Sequence, residues 1–397
     1  MVRSKFRNPR FWLFCSLMTD LGIYLHLPFC RSICSYCDFY KMRAKKPRIR
    51  QYIDYIIKEI DLHVETFRNA QANFQPKTLY IGGGTPSFIP LDDLERLLKR
   101  LGQWLSLADL QEFTIEANPE DLNLSFLTLI KKYHVSRLSI GIQSFNPLAH
   151  RVLNRVSDYH DVQKKVALLK QLGITNYNLD LMFGIPDMNH DLVKQDLELF
   201  LSLEPTHLSC YSLILEERTL LYNQYLKGEF KPLEEDEEAA IYQLIKDTLT
   251  RNGFNHYETS NFARPGYESL HNLIYWNNER YLGIGAGSSS YLGNTRLKTV
   301  SNLDRYFSLL DQGRIGREEE IQLSKQDQME EEVMLGLRKT QGISLERFYA
   351  KFGEDFFSVF PMAKKLIDQQ YLQRENNYLR LNPKYHFTAD YVLRKLI

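Results

Sequence analysis

A surplus of one charge is what this 397-residue sequence most plainly lacks: 50 lysines and arginines face 49 aspartates and glutamates, a formal net charge of +1. Nucleic-acid binding by counterion release needs an excess of cations, so no nucleic-acid partner is expected. Long apolar runs are missing too. Phe11 to Met18 follows a basic stretch, but its eight residues are too few to span a bilayer, and no small-residue cleavage site comes after it. No basic amphipathic helix stands out, so membrane contact is expected to be peripheral at most. The absence of Gly/Ser tracts, like-charge blocks and any repeat period argues against extended disorder and repeat architectures. Cysteine is scarce: Cys15, Cys30, Cys34, Cys37 and Cys210, with three of the five inside eight residues. A disulfide framework is not spaced that way, and a metal site in the reducing cytoplasm is expected instead.

The ordered pattern begins at Leu21, which fits either Met18 as the true start or an N-terminal helix packed on the domain. Six short apolar or alternating runs read as strands: 21–27, 78–81, 112–116, 137–142, 177–182 and 207–213. Amphipathic segments at 53–67, 91–104, 124–133, 161–172 and 190–203 lie between them, so strand and helix alternate. That is the grammar of parallel βαβ units, an α/β barrel or doubly wound sheet. Past Leu213 come an acidic helix start at Glu234 to Glu238, an Asn-, Tyr- and Gly-rich loop from Asn252 to Asn294, and a mostly helical tail. From about Gln328 the pattern is helical. It includes a strand pair over 371–381 that turns at Glu375-Asn376-Asn377 and a last helix over 389–396, a winged-helix-like module.

The polar features fall where strands end. Cys30-Arg-Ser-Ile-Cys34-Ser-Tyr-Cys37 follows the first, Gly82-Gly83-Gly84-Thr85-Pro86-Ser87 follows the second, and Glu116, Gln143 and Asp180 lie on the third, fourth and fifth. The C-terminal rim of a parallel barrel would gather them. Three thiolates in CX3CX2C spacing can hold a [4Fe-4S] cube and leave its fourth iron open to a substrate or cofactor. Zinc, the competing metal, needs a further ligand such as His26 to close a tetrahedron. The glycine triplet lets backbone approach a ligand or simply makes a tight turn, and it lacks the Lys-Ser/Thr of a P-loop. Buried Glu116, Gln143 and Asp180 need partners, which the hydroxyl, amino and carboxylate groups of a cofactor would supply, with Arg155 for a negative end.

CX3CX2C resembles the radical S-adenosylmethionine (SAM) superfamily. The longer string Tyr24-Leu-His26-Leu-Pro28-Phe29-Cys30 narrows the resemblance to the group holding oxygen-independent coproporphyrinogen III dehydrogenase and the heme chaperone HemW. The likeness runs from about Leu21 to Ile397 through GGGTPS, Glu116-Ala-Asn-Pro119, Ser139-Ile-Gly-Ile-Gln143-Ser-Phe145 and Asp180-Leu-Met-Phe-Gly184-Ile-Pro186. It implies a partial (β/α)6 barrel over 21–215 after an extension at 1–20, a family-specific stretch over 216–325 and a C-terminal module over 326–397. It also implies that Cys30, Cys34 and Cys37 hold a [4Fe-4S] cluster. Tyr24 and Tyr36 would flank the cluster and adenine, Gly83, Gly84 and Thr85 would line the methionine end, and Glu116, Gln143, Arg155 and Asp180 would bind the rest of SAM. The reduced cluster would pass one electron to the sulfonium and split SAM to methionine and a 5′-deoxyadenosyl radical.

Two features favour the chaperone branch. Phe39 stands where the dehydrogenase resembles CX3CX2CXC, and His271-Asn-Leu-Ile-Tyr275-Trp276 matches the HNxxYW pattern of the heme-binding branch. The resemblance thus implies heme as a third cofactor, with His271 as its candidate ligand and Tyr275 and Trp276 as aromatic surface. Heme-accepting apoproteins would be the partners; the electron donor is not named by any motif. A structural histidine capping a turn is the alternative for His271. The rival functions are oxidative decarboxylation of porphyrinogen propionates and radical modification of another small molecule or nucleic acid. Two family motifs are altered. The usual Gly-Arg pair reads Asn154-Arg155, without the histidine two residues on, and LPGQT is replaced by Ile185-Pro186-Asp187-Met188-Asn189. Both changes bear on SAM cleavage more than on SAM binding.

Overall fold

The computed structural model of the chain describes residues 21–69 and 75–397, so the expected N-terminal extension, with Met18 and Cys15, lies outside the described residues. The first half alternates β1 (Gly22–Leu27), α1 (Lys46–Asn69), β2 (Thr78–Gly83), α2 (Leu91–Trp104), β3 (Glu112–Ala117), α3 (Leu124–Lys132) and β4 (Arg137–Gln143). Then come α4 (Pro147–Leu153), α5 (Tyr159–Gln171), β5 (Tyr177–Phe183), α6 (His190–Ser202) and β6 (His207–Ser212). The six strands pair in parallel and in chain order, the (β/α)6 arrangement expected. Side chains two apart on a strand share a face. Ile23, Leu25, Leu79, Ile81, Phe113, Ile115, Leu138 and Ile140 are buried in the apolar core. The alternate positions, Tyr24, Tyr80, Glu116, Ser139 and Asp180, therefore line the other face, and it is polar. Asn123, Asn146, Asp158 and Asn189 cap α3, α4, α5 and α6 by accepting from first-turn N–H groups.

After β6 the chain forms α7 (Leu220–Leu226) and α8 (Glu235–Arg251). The stretch 252–294, expected as loop, is instead built: β7 (Asn255–Glu258), β8 (Asn261–Ala263), α9 (Leu270–Trp276), β9 (Tyr281–Ile284) and β10 (Ser289–Leu292). Strands of three or four residues carry no readable apolar period. They form because the edges of the barrel sheet offer unpaired backbone groups. β9 adds in parallel to β1 and β8 antiparallel to β6. With β11 (Thr295–Thr299), α10 (Leu303–Asp311) and β12 (Arg317–Gln322), the sheet reaches twelve strands in the order β12-β11-β10-β9-β1-β2-β3-β4-β5-β6-β8-β7.

The C-terminal region comprises α11 (Lys325–Gly336), β13 (Ile343–Ser344), α12 (Leu345–Phe352), α13 (Phe356–Val359), α14 (Met362–Asp368), β14 (Leu372–Glu375), β15 (Tyr378–Leu381) and α15 (Ala389–Leu396). The strand pair turns at Asn376 and Asn377 as the sequence suggests, and β13 joins its edge. Val333, Phe348, Leu366, Leu379 and Val392 form a core of its own, separate from that of the barrel. Among the described residues no helix is long and apolar enough to cross a membrane.

The turn after β2 and the loop after β1 meet at Gly84. A Cβ there would lie 2.7 Å from both the backbone N and O of Phe29. Replacing Gly84 with Ala should therefore cost about 1–3 kcal/mol of stability, read by denaturant unfolding under anaerobic conditions; unchanged stability would show that the loop is free to move aside.

Candidate functional site

The loop after β1 is closed on itself before it presents its cysteines. Met42 N donates to Pro28 O (2.7 Å) and Cys30 N to Met42 O (3.0 Å). The glycine turn holds its near side, with Gly84 N donating to Leu27 O and Thr85 N to Phe29 O, both 2.8 Å. The far side is held by α4 and α7: Ser35 Oγ donates to Val152 O (2.6 Å), and Leu221 N donates to Ser35 O (2.9 Å). Cys30, Cys34 and Cys37 are left half-buried on one loop. Burial first of all pushes the Cys30 thiol up to about 11; Thr85 works against it and the charges of Cys37 and Cys34 add to it. Burial likewise raises the Cys37 thiol, opposed by Lys41. The Cys30 and Cys37 thiols resist ionisation on their own, which fits a metal centre whose positive charge would stabilise their thiolates. His26 is no fourth ligand, because Nδ1 hydrogen-bonds with the Tyr24 hydroxyl (2.9 Å) and Nε2 with Tyr40 O (2.9 Å). The ring instead ties the lumen to the cysteine loop. Tyr24 thus props the loop through His26, while Tyr36 lies within electrostatic reach of Cys34, Cys37, Arg155 and Asp180.

The remaining residues gather at this end of the lumen. Glu116 accepts from the Tyr80 hydroxyl (2.7 Å) and Gly83 N (3.1 Å). Burial pushes its carboxyl up to about 7, the Asp180 charge adding and Tyr80 offsetting. Asp180 accepts from Asn178 Nδ2 (2.6 Å), and burial holds it too above the usual range. Two carboxylates lifted by burial fit a ligand that brings positive charge, as the sulfonium and ammonium of SAM do. Arg155 donates to Asn118 Oδ1 (2.6 Å) and to Gly141 O, and its Nη1 lies 3.8 Å from Cys34 Sγ. Gln143 is buried at φ +75° where β4 slips register against β5. The glycines make the tight turn that the sequence allows. Gly83 N is committed to Glu116, Gly84 N to Leu27, and Gly83 takes φ +114° against the His26 ring.

One altered motif keeps its geometry. Asn154 ends α4 in the left-handed region at φ 52°, the position where the family's glycine would stand, and Asn is among the few other residues that tolerate it. Arg155 is still aimed at the cluster loop. Asn118 and Arg137 were not singled out from sequence. The first fixes Arg155; the second opens β4 as a buried arginine whose Nε has no hydrogen-bond partner, a signal visible as a cation at the head of an apolar run.

His271 is placed away from this site. It lies on α9, whose N-terminus is capped by Glu112 at the start of β3: the carboxylate accepts from Leu270 N (2.8 Å) and His271 N (3.3 Å). Its Nδ1 hydrogen-bonds with Thr78 Oγ1 (2.7 Å) and its Nε2 with the Tyr275 hydroxyl (2.8 Å). Thr78 and Glu112 are the first residues of their strands, so HNxxYW forms the barrel floor, opposite the cysteines. Both ring nitrogens are engaged and the ring is buried, so here the histidine packs α9 onto the strand starts.

A three-thiol loop at the mouth of a parallel (β/α)6 barrel, over a lumen of buried carboxylates, defines a radical SAM protein. The model of the Radical SAM superfamily matches residues 24–200 and that of the HemN C-terminal domain residues 323–384. Proteins called Heme chaperone HemW are similar end to end. That of Lactococcus lactis is 38% identical over 94% of this chain and 96% of its own, and that of Bacillus subtilis 36% identical over 86% and 89%. The solved coproporphyrinogen III oxidase (HemN) of Escherichia coli shares the fold at TM-score 0.84 and 21% identity, covering 98% of this chain and 92% of that one. The chain belongs to the HemW family of the radical SAM superfamily.

Replacing Cys34 with Ala should abolish the iron-dependent absorbance of the anaerobically reconstituted protein; four irons per chain in the variant would remove Cys34 from the ligand set. Burial, aided by Arg137, lowers the His271 imidazole to about 3. The unfolded ring takes up a proton near pH 6.5 that the folded ring refuses, so stability is present above that pH and drains as pH falls toward 3. His271→Gln should flatten part of that slope in denaturant titrations at a series of pH values; an unchanged slope would show the ring to be freely protonated in the fold.

Proposed function

We propose that this chain binds heme and delivers it to apoproteins, on a scaffold that holds a [4Fe-4S] cluster and SAM. The observation that carries the reading is the end-to-end similarity to the HemW chaperones. Phe39 supports it, standing exposed where the dehydrogenase branch has a further cysteine. The oxidase reading rests on a shared fold, which alone does not assign a reaction.

Cys30, Cys34 and Cys37 would hold the cluster, and Tyr36, Glu116, Gln143, Arg155 and Asp180 would meet SAM. A bound cluster supplies single electrons, with one iron open to a ligand. The protein's own part is positional. Glu116 and Asp180 offer carboxylates to cationic groups, Arg155 keeps a fixed positive charge beside Cys34, and Ser35, pinned by α4 and α7, holds the loop over the lumen.

The reconstituted protein should take up one heme with a stoichiometric Soret band, pass it to a heme-free acceptor, and leave coproporphyrinogen III unchanged under reducing anaerobic conditions. Efficient turnover to protoporphyrinogen IX would overturn the assignment in favour of the enzyme.

A further inference from the structure

The chain that leaves the cysteine loop is unusually basic. Residues 41–50, Lys41-Met-Arg-Ala-Lys-Lys-Pro-Arg-Ile-Arg50, hold six cations and no acid, in a sequence whose net charge is +1. Two of the six are neutralised, Arg48 by Asp304 (2.5 Å) and Arg50 by Asp93 (3.0 Å). Lys41 donates to Cys37 O and keeps its charge. Arg43, Lys45 and Lys46 are exposed and have no ion pair among the described residues. Against these four cations stand Asp38 on the loop and Glu318, which accepts from Ser301 Oγ (2.8 Å). Positive charge is left over. Its placement is unfavourable within the fold: Lys46 opens α1 and Lys45 precedes it, at the end where the helix dipole disfavours cations, and the first turn holds no acid. An anionic partner would relieve that arrangement.

A groove of about 680 Å³ lies beside these cations. Arg43, Lys45 and Arg48 line one wall, and Ser301, Asn302 and Leu303, at the start of α10, line the other. The groove is tied to the cysteines. Tyr40, which also lines it, donates its hydroxyl to Ser301 O, and its carbonyl oxygen hydrogen-bonds with His26 Nε2 (2.9 Å). Met42, the next lining residue, accepts from Cys30 N (3.0 Å). Phe39, between the basic stretch and Cys37, is 74% exposed, an aromatic of the kind that protein interfaces cover.

We infer that this groove and its basic rim dock a small acidic protein that carries a one-electron centre, bringing that centre to the side of the loop marked by Cys37 and Phe39. The inference rests on the cluster reading. One electron passes: a reduced [2Fe-2S] centre on the donor is oxidised, the [4Fe-4S] centre between the cysteines is reduced, and no bond or proton changes hands. Encounters of this kind bury little area and are steered by opposite charge, so unpaired cations around one exposed aromatic suffice.

The test uses a [2Fe-2S] ferredoxin of net negative charge as the probe, with the cluster-loaded protein and its Arg43→Glu/Lys45→Glu variant at equal iron content. Oxidised ferredoxin is titrated by calorimetry at low and high salt. Reduced ferredoxin is mixed anaerobically with each protein and frozen at intervals, and the [4Fe-4S] signal is followed by electron paramagnetic resonance. Wild type should bind, more weakly at high salt; the variant should bind at least about tenfold more weakly and be reduced correspondingly slowly. Photoreduced deazariboflavin, small and uncharged, should reduce both at one rate. Equal affinity and rate in wild type and variant, or no binding to wild type, overturns the docking surface. So does a variant that keeps ferredoxin but loses phosphatidylglycerol vesicles, which would assign the cations to a lipid surface. A wild type that takes up no iron overturns the cluster reading instead, and calorimetry still decides the surface. Should the double variant hold no iron, Lys45→Gln, at an exposed side chain, serves in its place: it should bind about threefold more weakly, and no loss overturns the inference.

Discussion

Everything at the mouth depends on how the loop after β1 is closed. A CX3CX2C segment free in solution has no fixed shape, and half-burying Cys30 and Cys37 raises their thiol pKa values. The fold opposes that cost with backbone. Pro28 and Met42 zip the base of the loop, the glycine turn grips one flank, and Ser35 is caught between α4 and α7. His26 extends the arrangement downward by joining Tyr24 in the lumen to Tyr40 in the loop. The backbone that carries the cysteines is thus tied to the barrel at several points along the loop.

Strand alternation does the rest. Because side chains two apart share a face, the same six strands that bury Ile and Leu under the helices must present their other residues to the lumen. Here those residues are acids, tyrosines and amides. Burial lifts Glu116 and Asp180, with Arg137 opposing it at both and Arg155 at Asp180. The two ends of the barrel are then specialised: carboxylates, Arg155 and thiols at the mouth, and Glu112, Thr78 and His271 at the floor.

The six barrel strands and their helices were legible because long amphipathic segments carry a strong period; the α2 span, 91–104, matches residue for residue. The edge strands were not, since Asn261–Ala263 and Tyr281–Ile284 owe their form to β6 and β1, far away in sequence. At the site, residue types were readable and roles less so. Gly83 and Gly84 read as either a ligand approach or a tight turn, and the contacts that require them small, on His26 and Phe29, come from a loop far away in sequence. His271 shows the sharper limit. The pattern HNxxYW does not by itself show that its histidine bonds Thr78 at the start of β2, because that contact spans most of the barrel in sequence. Asn154 runs the other way, since what reads as a lost glycine preserves the left-handed turn that aims Arg155.

Cys30, Cys34 and Cys37 are proposed to hold a [4Fe-4S] cluster at the mouth of the barrel, with SAM as a ligand to it. The most direct measurement is the electron paramagnetic resonance spectrum of the reduced, anaerobically reconstituted protein with and without SAM. A cluster signal whose g-values shift when SAM is added is the expected result. A signal that SAM leaves unchanged, or no cluster signal at all, would contradict the account.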